Sequence, residues 1–326
     1  MHLSNGTPKA IAIFVSSFRI GDEPISNEYY WECYQDLMLS LKARGIEAYL
    51  TSGNETYLGS GIFSRALAIE SKVEDPRFLK PVRNVQVNLV LERSEGNPFS
   101  GTDVIVLNDE RIRSIINNKI SLYENFDIFQ PYSKVVEHKR NLPQAVRSMP
   151  GSQVVVKIAD GFGGEGVYIG TKSEVIAEAS NAKFPVLVQE FLDTSMGMPG
   201  GEQGVHDVRT IVCEGKIIGL SVRKARPGSL LSNVHQGGTL SSLSLNELPP
   251  KLVQLVGAID YMLPQIPRFY SADFVFSEKG WKLIELNDYV GLTPIVDGPE
   301  SANFLARLTQ YLELCCDRAI ASINEL

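Results

Sequence analysis

The chain has 326 residues, enough for two or three structural units with buried cores. Its 44% hydrophobic and 21% charged content is that of a soluble globular protein, and no apolar run approaches the roughly 18 residues of a membrane span. The net charge of -7 argues against a nucleic-acid coat but leaves room for an anionic ligand held by local lysines and arginines.

The opening MHLSNGTPKA has no apolar signal core, so a cytoplasmic location is expected. IAIFV (11–15) reads as a strand and SNEYYWECYQDLMLSLKARG (26–45) as a helix. Tyr30, Cys33, Tyr34, Leu37 and Leu41 recur at helical spacing, Ser26 or Asn27 can cap the start, and Gly45 can end it. IEAYL (46–50) returns as strand, which makes a βαβ opening. Residues 52–100 carry no clear pattern. DVIVLND (103–109) is a strand with a polar exit, and one helix is expected over about 110–126. From 151 the strands VVVKI, GVYIG, PVLVQEF, DVRTIV and KIIGLSVR follow closely, with a helix at 171–179. That spacing predicts a mixed or antiparallel sheet. A helix at 251–262, strands SADFVF and WKLIEL around a turn at Glu278-Lys279-Gly280, and a long helix over 300–323 complete the pattern. The expected division is 1–110, 111–190 and 191–326. Cys33, Cys213, Cys315 and Cys316 form no CxxC pair and read as reduced thiols, and the four histidines have no HExxH spacing.

The stretch VVVKIADGFGGEGVYIG contains a literal GxGxxG at Gly161, Gly163 and Gly166. A dinucleotide-binding turn needs a helix after its glycines. Here Val167, Tyr168 and Ile169 follow, which favour a strand. A P-loop would need GxxxxGK[ST], and a kinase loop would place its lysine after the glycines; here Lys157 precedes them. The remaining nucleotide layout is a lysine-bearing strand, a glycine hairpin and a second strand. Gly161, Gly163, Gly164 and Gly166 would let backbone N–H groups approach phosphate. Taken alone, the hairpin fits an unliganded surface turn equally well.

The second half shifts that balance. In WKLIELN, period 2 predicts Trp281, Leu283, Glu285 and Asn287 on one strand face. Glu285 and Asn287 then offer oxygen ligands at the strand end, and Asp273 can supply a third, a donor set suited to magnesium. Asp207 and Arg209 share a strand face, and Arg223, Lys224 and Arg226 collect positive charge ahead of Asn233 and His235.

Lys157, GFGGEGV, VLVQEFL, HDVR, SNVHQGG, Asp273 and ELN, in this order, resemble the ATP-grasp superfamily, in particular its glutathione-synthetase-like branch with the ribosomal-protein glutamate ligases. The resemblance runs from about Lys119 to Leu292. It implies an α/β (α+β) ATP-grasp fold, with an N-terminal βαβ domain followed by two α+β subdomains clasping ATP. By motif, it implies that Lys119 and Lys157 contact ATP phosphates. Gln189, Glu190, Phe191 and Leu192 would form the hinge against adenine. Asp273, Glu285 and Asn287 would hold two magnesium ions. Arg223 would face the reacting carboxylate, Asn233 would lie near the acceptor or metal, and Arg209 is a further catalytic candidate.

The implied activity is an ATP-dependent carboxylate–amine ligation through an acyl phosphate, on an amino acid, a peptide or a protein tail. A small-molecule kinase and a non-catalytic ATP-binding regulator on the same fold stay open, as does a homo-oligomer. Two departures stand out. Ser229 and Leu231 occupy positions where the glutamate ligases carry Asp and Arg, and Asp288-Tyr289-Val290-Gly291 follows Glu-x-Asn in place of a small-residue, Pro, Gly run. They predict a retained ATP side and a rebuilt substrate side, with glutamate not the preferred donor.

Overall fold

The computed structural model describes residues 8–94, 99, 104–161, 164–201, 203–230, 232, 237–292 and 299–324. The chain forms two compact units. The first comprises Met1–Glu110, Gln265–Phe269 and Tyr289–Leu326; the second comprises Arg111–Pro264 and Tyr270–Asp288.

In the first unit, β1 (Ala10–Val15), α1 (Glu28–Ala43) and β2 (Glu47–Ser52) form the expected βαβ unit, with β1 and β2 parallel. Asn27, not Ser26, caps α1, accepting the Tyr30 N–H at 3.0 Å. The buried stripe is Trp31, Tyr34, Leu37, Met38 and Leu41, so Tyr30 and Cys33 lie at its margin. The patternless middle folds as β3 (Tyr57–Gly59), β4 (Ile62–Ala68) and β5 (Lys80–Gln86), followed by β6 (Leu89–Arg93) and β7 (Ile105–Leu107). The sheet order is β3-β4-β2-β1-β6-β7, with β5 paired to β4. Its core includes Phe14 against Phe99, edge to face at 4.9 Å.

The second unit begins with α2 (Glu110–Ile116) and α3 (Lys119–Phe126), which replace the single helix expected over 110–126. The break has a local cause. The Asn118 side chain accepts the N–H groups of Ile120 and Ser121, which restarts the helix with Lys119 in its first turn. Next come β8 (Ser133–Val136), α4 (Leu142–Ser148), β9 (Gln153–Ile158), β10 (Val167–Thr171), α5 (Lys172–Glu178) and β11 (Val186–Glu190). Their four-stranded sheet has the order β10-β9-β11-β8. Val154, Val156, Val186 and Val188 point to one face, where α4 and α5 cover them through Leu142, Val146 and Val175, with Ala179 just past the end of α5. Strand alternation therefore turns Lys157 and Gln189 to the other face.

A five-stranded sheet follows, in the order β14-β13-β12-β15-β16, with β14–β13, β13–β12 and β15–β16 antiparallel. It is built from β12 (His206–Cys213), β13 (Lys216–Lys224), β14 (Thr239–Ser242), β15 (Phe269–Ser277) and β16 (Gly280–Asn287), with α6 (Pro250–Met262) between β14 and β15. The chain ends in α7 (Pro299–Asn324), whose Phe304, Leu308, Leu312, Cys315 and Ala319 are buried at helical spacing. In the first unit α7 packs against α1 and is tied there by Glu313 to Arg44 (2.5 Å) and to Lys9 (3.2 Å).

Candidate active site

β9 and β10 are antiparallel neighbours, with Lys157 opposite Val167, so the glycine stretch is a hairpin between strands. Gly164 and Gly166 adopt φ of +87° and +67°. A Cβ at Gly166 would meet the Ile158 side chain at 2.3 Å, and one at Gly161 would meet the Glu165 carbonyl at 2.3 Å. These positions admit only glycine without rearrangement. Gly163 lies outside the described residues.

Lys157 is buried, which pulls its ammonium down to about 8; Glu285 opposes that shift and Lys119 adds to it. Lys119 donates to the Gly161 carbonyl at the hairpin's entry and stands 3.7 Å from Glu285 Oε1. The two lysines thus share one carboxylate. On the same face as Lys157, the Gln189 side chain donates to Ser133 Oγ at 2.9 Å. The Glu190 backbone N–H donates to the Tyr132 carbonyl, and its buried carboxylate accepts from Tyr132 N–H at 3.1 Å and from Lys279 Nζ at 2.5 Å. Phe191 and Leu192 lie just past the end of β11 and are half-buried.

The other cluster is built on the five-stranded sheet. Asp273 on β15 stands directly opposite Glu285 on β16, and Ser271 opposite Asn287. Between Asp273 and Phe274 the register slips by one residue, a β-bulge that leaves Phe274 opposite Leu283 and Phe276 opposite Trp281. The uninterrupted alternation expected for Trp281, Leu283, Glu285 and Asn287 is therefore wrong. Trp281 and Leu283 share the face of Phe274 and Phe276, and the bulge re-aims Glu285 and Asn287 to the face of Asp273.

Two like charges opposite each other on adjacent strands repel. Here arginines compensate. Arg209 on β12 grips Asp273 with Nε and Nη2, both at 2.7 Å, and Arg223 on β13 donates Nη2 to Asp273 Oδ2 at 2.7 Å and Nε to Asp207 Oδ1 at 2.6 Å. Burial alone would raise the Asp273 carboxyl, but the two guanidinium groups hold it at about 2. Burial and the neighbouring Asp273 charge push the Glu285 carboxyl up. Asp207 is raised as well, by burial first. Among the described residues, neither arginine's Nη1 has a protein partner, so two guanidinium edges remain open to an anion. Asn233 and His235 lie outside the described residues. Asp288 pairs with Arg113 at 2.8 Å, which fixes the exit from β16.

The donor set fits a hard divalent cation. Both Asp273 oxygens accept from arginine, while Glu285 carries a carboxyl raised by burial and like charge, which an added cation would stabilise in its ionised form. The Asn287 amide has a buried Nδ2 with no partner among the described residues, and a half-turn of that amide presents its oxygen instead. The described residues contain no group of three or more acidic, Cys or His side chains able to cage a metal on their own. An ion here would draw its remaining ligands from phosphate oxygens, as magnesium commonly does.

Sequence reasoning missed Lys279, Tyr132 and Ser232. Ser232 Oγ donates to Asp207 Oδ2, and Lys279 reaches Glu190 from the tight turn before β16. Nothing in the local sequence marks a turn lysine as the partner of a distant carboxylate.

Comparison with known proteins sets this geometry in a family. A model of the RimK-like ATP-grasp domain matches residues 85–303. A protein of Psychromonas ingrahamii named probable alpha-L-glutamate ligase is 27% identical over 180 residues, covering 53% of this chain and 54% of that relative. Across such curated relatives the match spans between 36% and 67% of their length. D-alanyl-alanine synthetase A of Vibrio cholerae has the same fold, with TM-score 0.63 and 16% identity over 97% of this chain and all of that one. So does the ATP-grasp ligase PsnB, solved with a phosphomimetic variant of its minimal precursor, Mg and ADP (TM-score 0.58, 14% identity, 95% of this chain and 99% of that one). With the matched region extending over well over half of its residues, the chain belongs to the RimK-like ATP-grasp family.

Proposed function

We propose that the protein is an ATP-dependent carboxylate–amine ligase acting on an amino acid, a peptide or a protein tail. The observation that carries this reading is the paired arginine clamp. Arg209 and Arg223 converge on buried Asp273 and, among the described residues, keep their Nη1 edges free of protein partners, next to Glu285, Lys119 and Lys157. Buried ionic networks contribute little net stability relative to apolar packing, so such a cluster calls for a functional explanation. It carries four basic and three acidic side chains, an excess of cations that suits an anionic ligand.

In this reading the two sheets of the second unit are the halves of the clasp. Lys119 and Lys157 contact the ATP phosphates, and the glycine hairpin covers them. Gln189, Glu190, Phe191 and Leu192 line the adenine side, with backbone groups at the end of β11 available to the base. Asp273, Glu285 and Asn287 would hold two magnesium ions, which supply neutralisation of the triphosphate charge. Arg223 receives the donor carboxylate on its open edge. A carboxylate oxygen attacks the γ-phosphorus as the bond to the β-phosphate oxygen breaks, which gives an acyl phosphate and ADP. The amine nitrogen then attacks the carbonyl carbon, negative charge gathers on its oxygen beside Arg223, inorganic phosphate leaves, and the amine proton passes to solvent. The hairpin excludes the water that would hydrolyse the acyl phosphate. By motif, Asn233 would lie near the acceptor or the metal. Ser229 and Leu231 supply no charge there, so a donor less charged or larger than glutamate is preferred. The cytoplasm, with its ATP and reducing conditions, suits the free cysteines.

The test is a screen with magnesium-ATP and pools of amino acids and short peptides, scoring ADP and new amides by mass. ADP release should require a carboxylate and an amine together. A phosphorylated alcohol as the sole product would overturn the ligase reading in favour of a kinase.

A further inference from the structure

Arg223 reaches the site on a long, flexible side chain, and its backbone register does not fix where the guanidinium points. Its hold on Asp273 is a single bond through Nη2, because Arg209 takes both oxygens of that carboxylate. One hydrogen bond leaves a planar group free to swing about it. The second point is supplied by Asp207, directly opposite Arg223 in the β12–β13 ladder, which accepts Nε–H at 2.6 Å. With Nε and Nη2 both held, the guanidinium plane is set and Nη1 is aimed. Asp207 needs orienting in turn, since a carboxylate bonded through one oxygen still rotates. Ser232, in the stretch between β13 and β14, donates Oγ–H to the other oxygen, Oδ2. Asp207 is largely buried, with 13% of its side chain exposed, which limits the water able to take the place of that donor.

We propose that Asp207 is a positioning residue for Arg223 and that the Ser232 hydroxyl sets Asp207, so that the aim of Arg223 depends on Ser232. The functional consequence rests on the reading of Arg223 as the contact to the donor carboxylate. Loss of the Ser232 hydroxyl should then weaken carboxylate use while leaving nucleotide binding intact, because Lys119 and Lys157 belong to α3 and β9, outside the hydrogen-bond chain from Ser232 through Asp207 to Arg223.

The test reads Arg223 directly. In nitrogen-15 spectra of the full chain, solvent exchange of the Arg223 Nε–H is compared in the parent, Ser232→Ala, Ser232→Thr and Asp207→Asn. Exchange should speed up by roughly tenfold or more in Ser232→Ala and Asp207→Asn, as expected when a hydrogen bond of about 1.5 kcal/mol is lost, and return towards the parent value in Ser232→Thr. The Arg209 Nε–H, bonded to Asp273, should be unchanged and reports that the fold is kept. If Asp207→Asn does not fold, the alanine and threonine pair decides. In turnover, Ser232→Ala should raise KM for the carboxylate severalfold with nucleotide Kd unchanged. Unaltered Arg223 exchange in Ser232→Ala would overturn the proposal. A parent enzyme without carboxylate-dependent ADP release would instead defeat the ligase reading, and the exchange data would still decide whether Asp207 and Ser232 position Arg223.

Discussion

If Lys157 contacts the ATP phosphates as proposed, its burial makes nucleotide affinity depend on pH in a way that can be calculated. Burial lowers its ammonium from the ordinary 10.5 to about 8. A folded-state value below the unfolded one means that the folded protein disfavours the charged form, a penalty of about 3 kcal/mol at neutral pH. The penalty is fully present below about pH 8 and is relieved as the pH rises from about 8 to about 10.5, where the unfolded chain still binds the proton. Bound triphosphate reverses the balance, because its negative charge favours the ammonium. ATP binding should therefore draw a proton onto Lys157, about half a proton per site at pH 8. Above that, affinity should fall by about tenfold per pH unit, or about 1.4 kcal/mol. Calorimetry between pH 7.5 and 9.5 with a non-hydrolysable ATP analogue measures both quantities, the second from the dependence of heat on buffer ionisation. Lys157→Ala should weaken binding by roughly ten- to a hundredfold and remove the pH dependence. Affinity that stays flat from pH 7.5 to 9.5, with no proton uptake, would refute the assignment of Lys157 to the phosphates.

Three further outcomes follow from the cluster and the glycine hairpin. Glu285→Gln keeps the shape and loses the charge, so turnover should fall on the order of 100-fold while analogue affinity changes little; parent-rate turnover would remove Glu285 from the metal set. Asp273→Asn leaves two buried arginines without their shared counter-charge and should lower stability by about 3–5 kcal/mol, read as a drop in Tm. Because the Asp273 carboxyl is held at about 2, its contribution is fully present above its ordinary value near 3.8 and is lost as pH falls through about 2, so the parent-to-variant difference should start to shrink below about pH 4. A difference that grows on acidification would contradict the pairing. Gly166→Ala forces a side chain onto a φ of +67° and into Ile158, and should cost about 1–3 kcal/mol along with slower turnover, measured by Tm and ADP release.

Local chemistry made the site's parts legible, whereas their assembly depends on long-range pairing. The βαβ opening, the lysine strand and the glycine hairpin could be read because periodicity and backbone restriction act within a few residues. Asp273 and Glu285 were conspicuous because each interrupts an apolar run. The bulge beside Asp273 was not legible. It swaps the face of β16 between Leu283 and Glu285, and no residue type marks where the ladder slips. The break between α2 and α3 was legible in principle, since Asn117 and Asn118 are good caps and poor helix formers. β5 escaped notice because KPVRNVQ is mostly exposed and carries Pro81, so it shows little alternation. Ser232 and Lys279 act on residues far away in the chain, and such partners come only from tertiary structure.

The central claim is that a carboxylate is activated by phosphoryl transfer before an amine takes it. Oxygen-18 tests that claim most directly. The amino-acid and peptide pool that supports ADP release is prepared with oxygen-18 in its carboxylates, and the phosphate released with unlabelled ATP and water is analysed by mass. Attack of a carboxylate oxygen on the γ-phosphorus predicts one labelled oxygen per phosphate, with the other retained in the amide carbonyl. Unlabelled phosphate accompanying amide formation, or label found in neither product, would contradict the account.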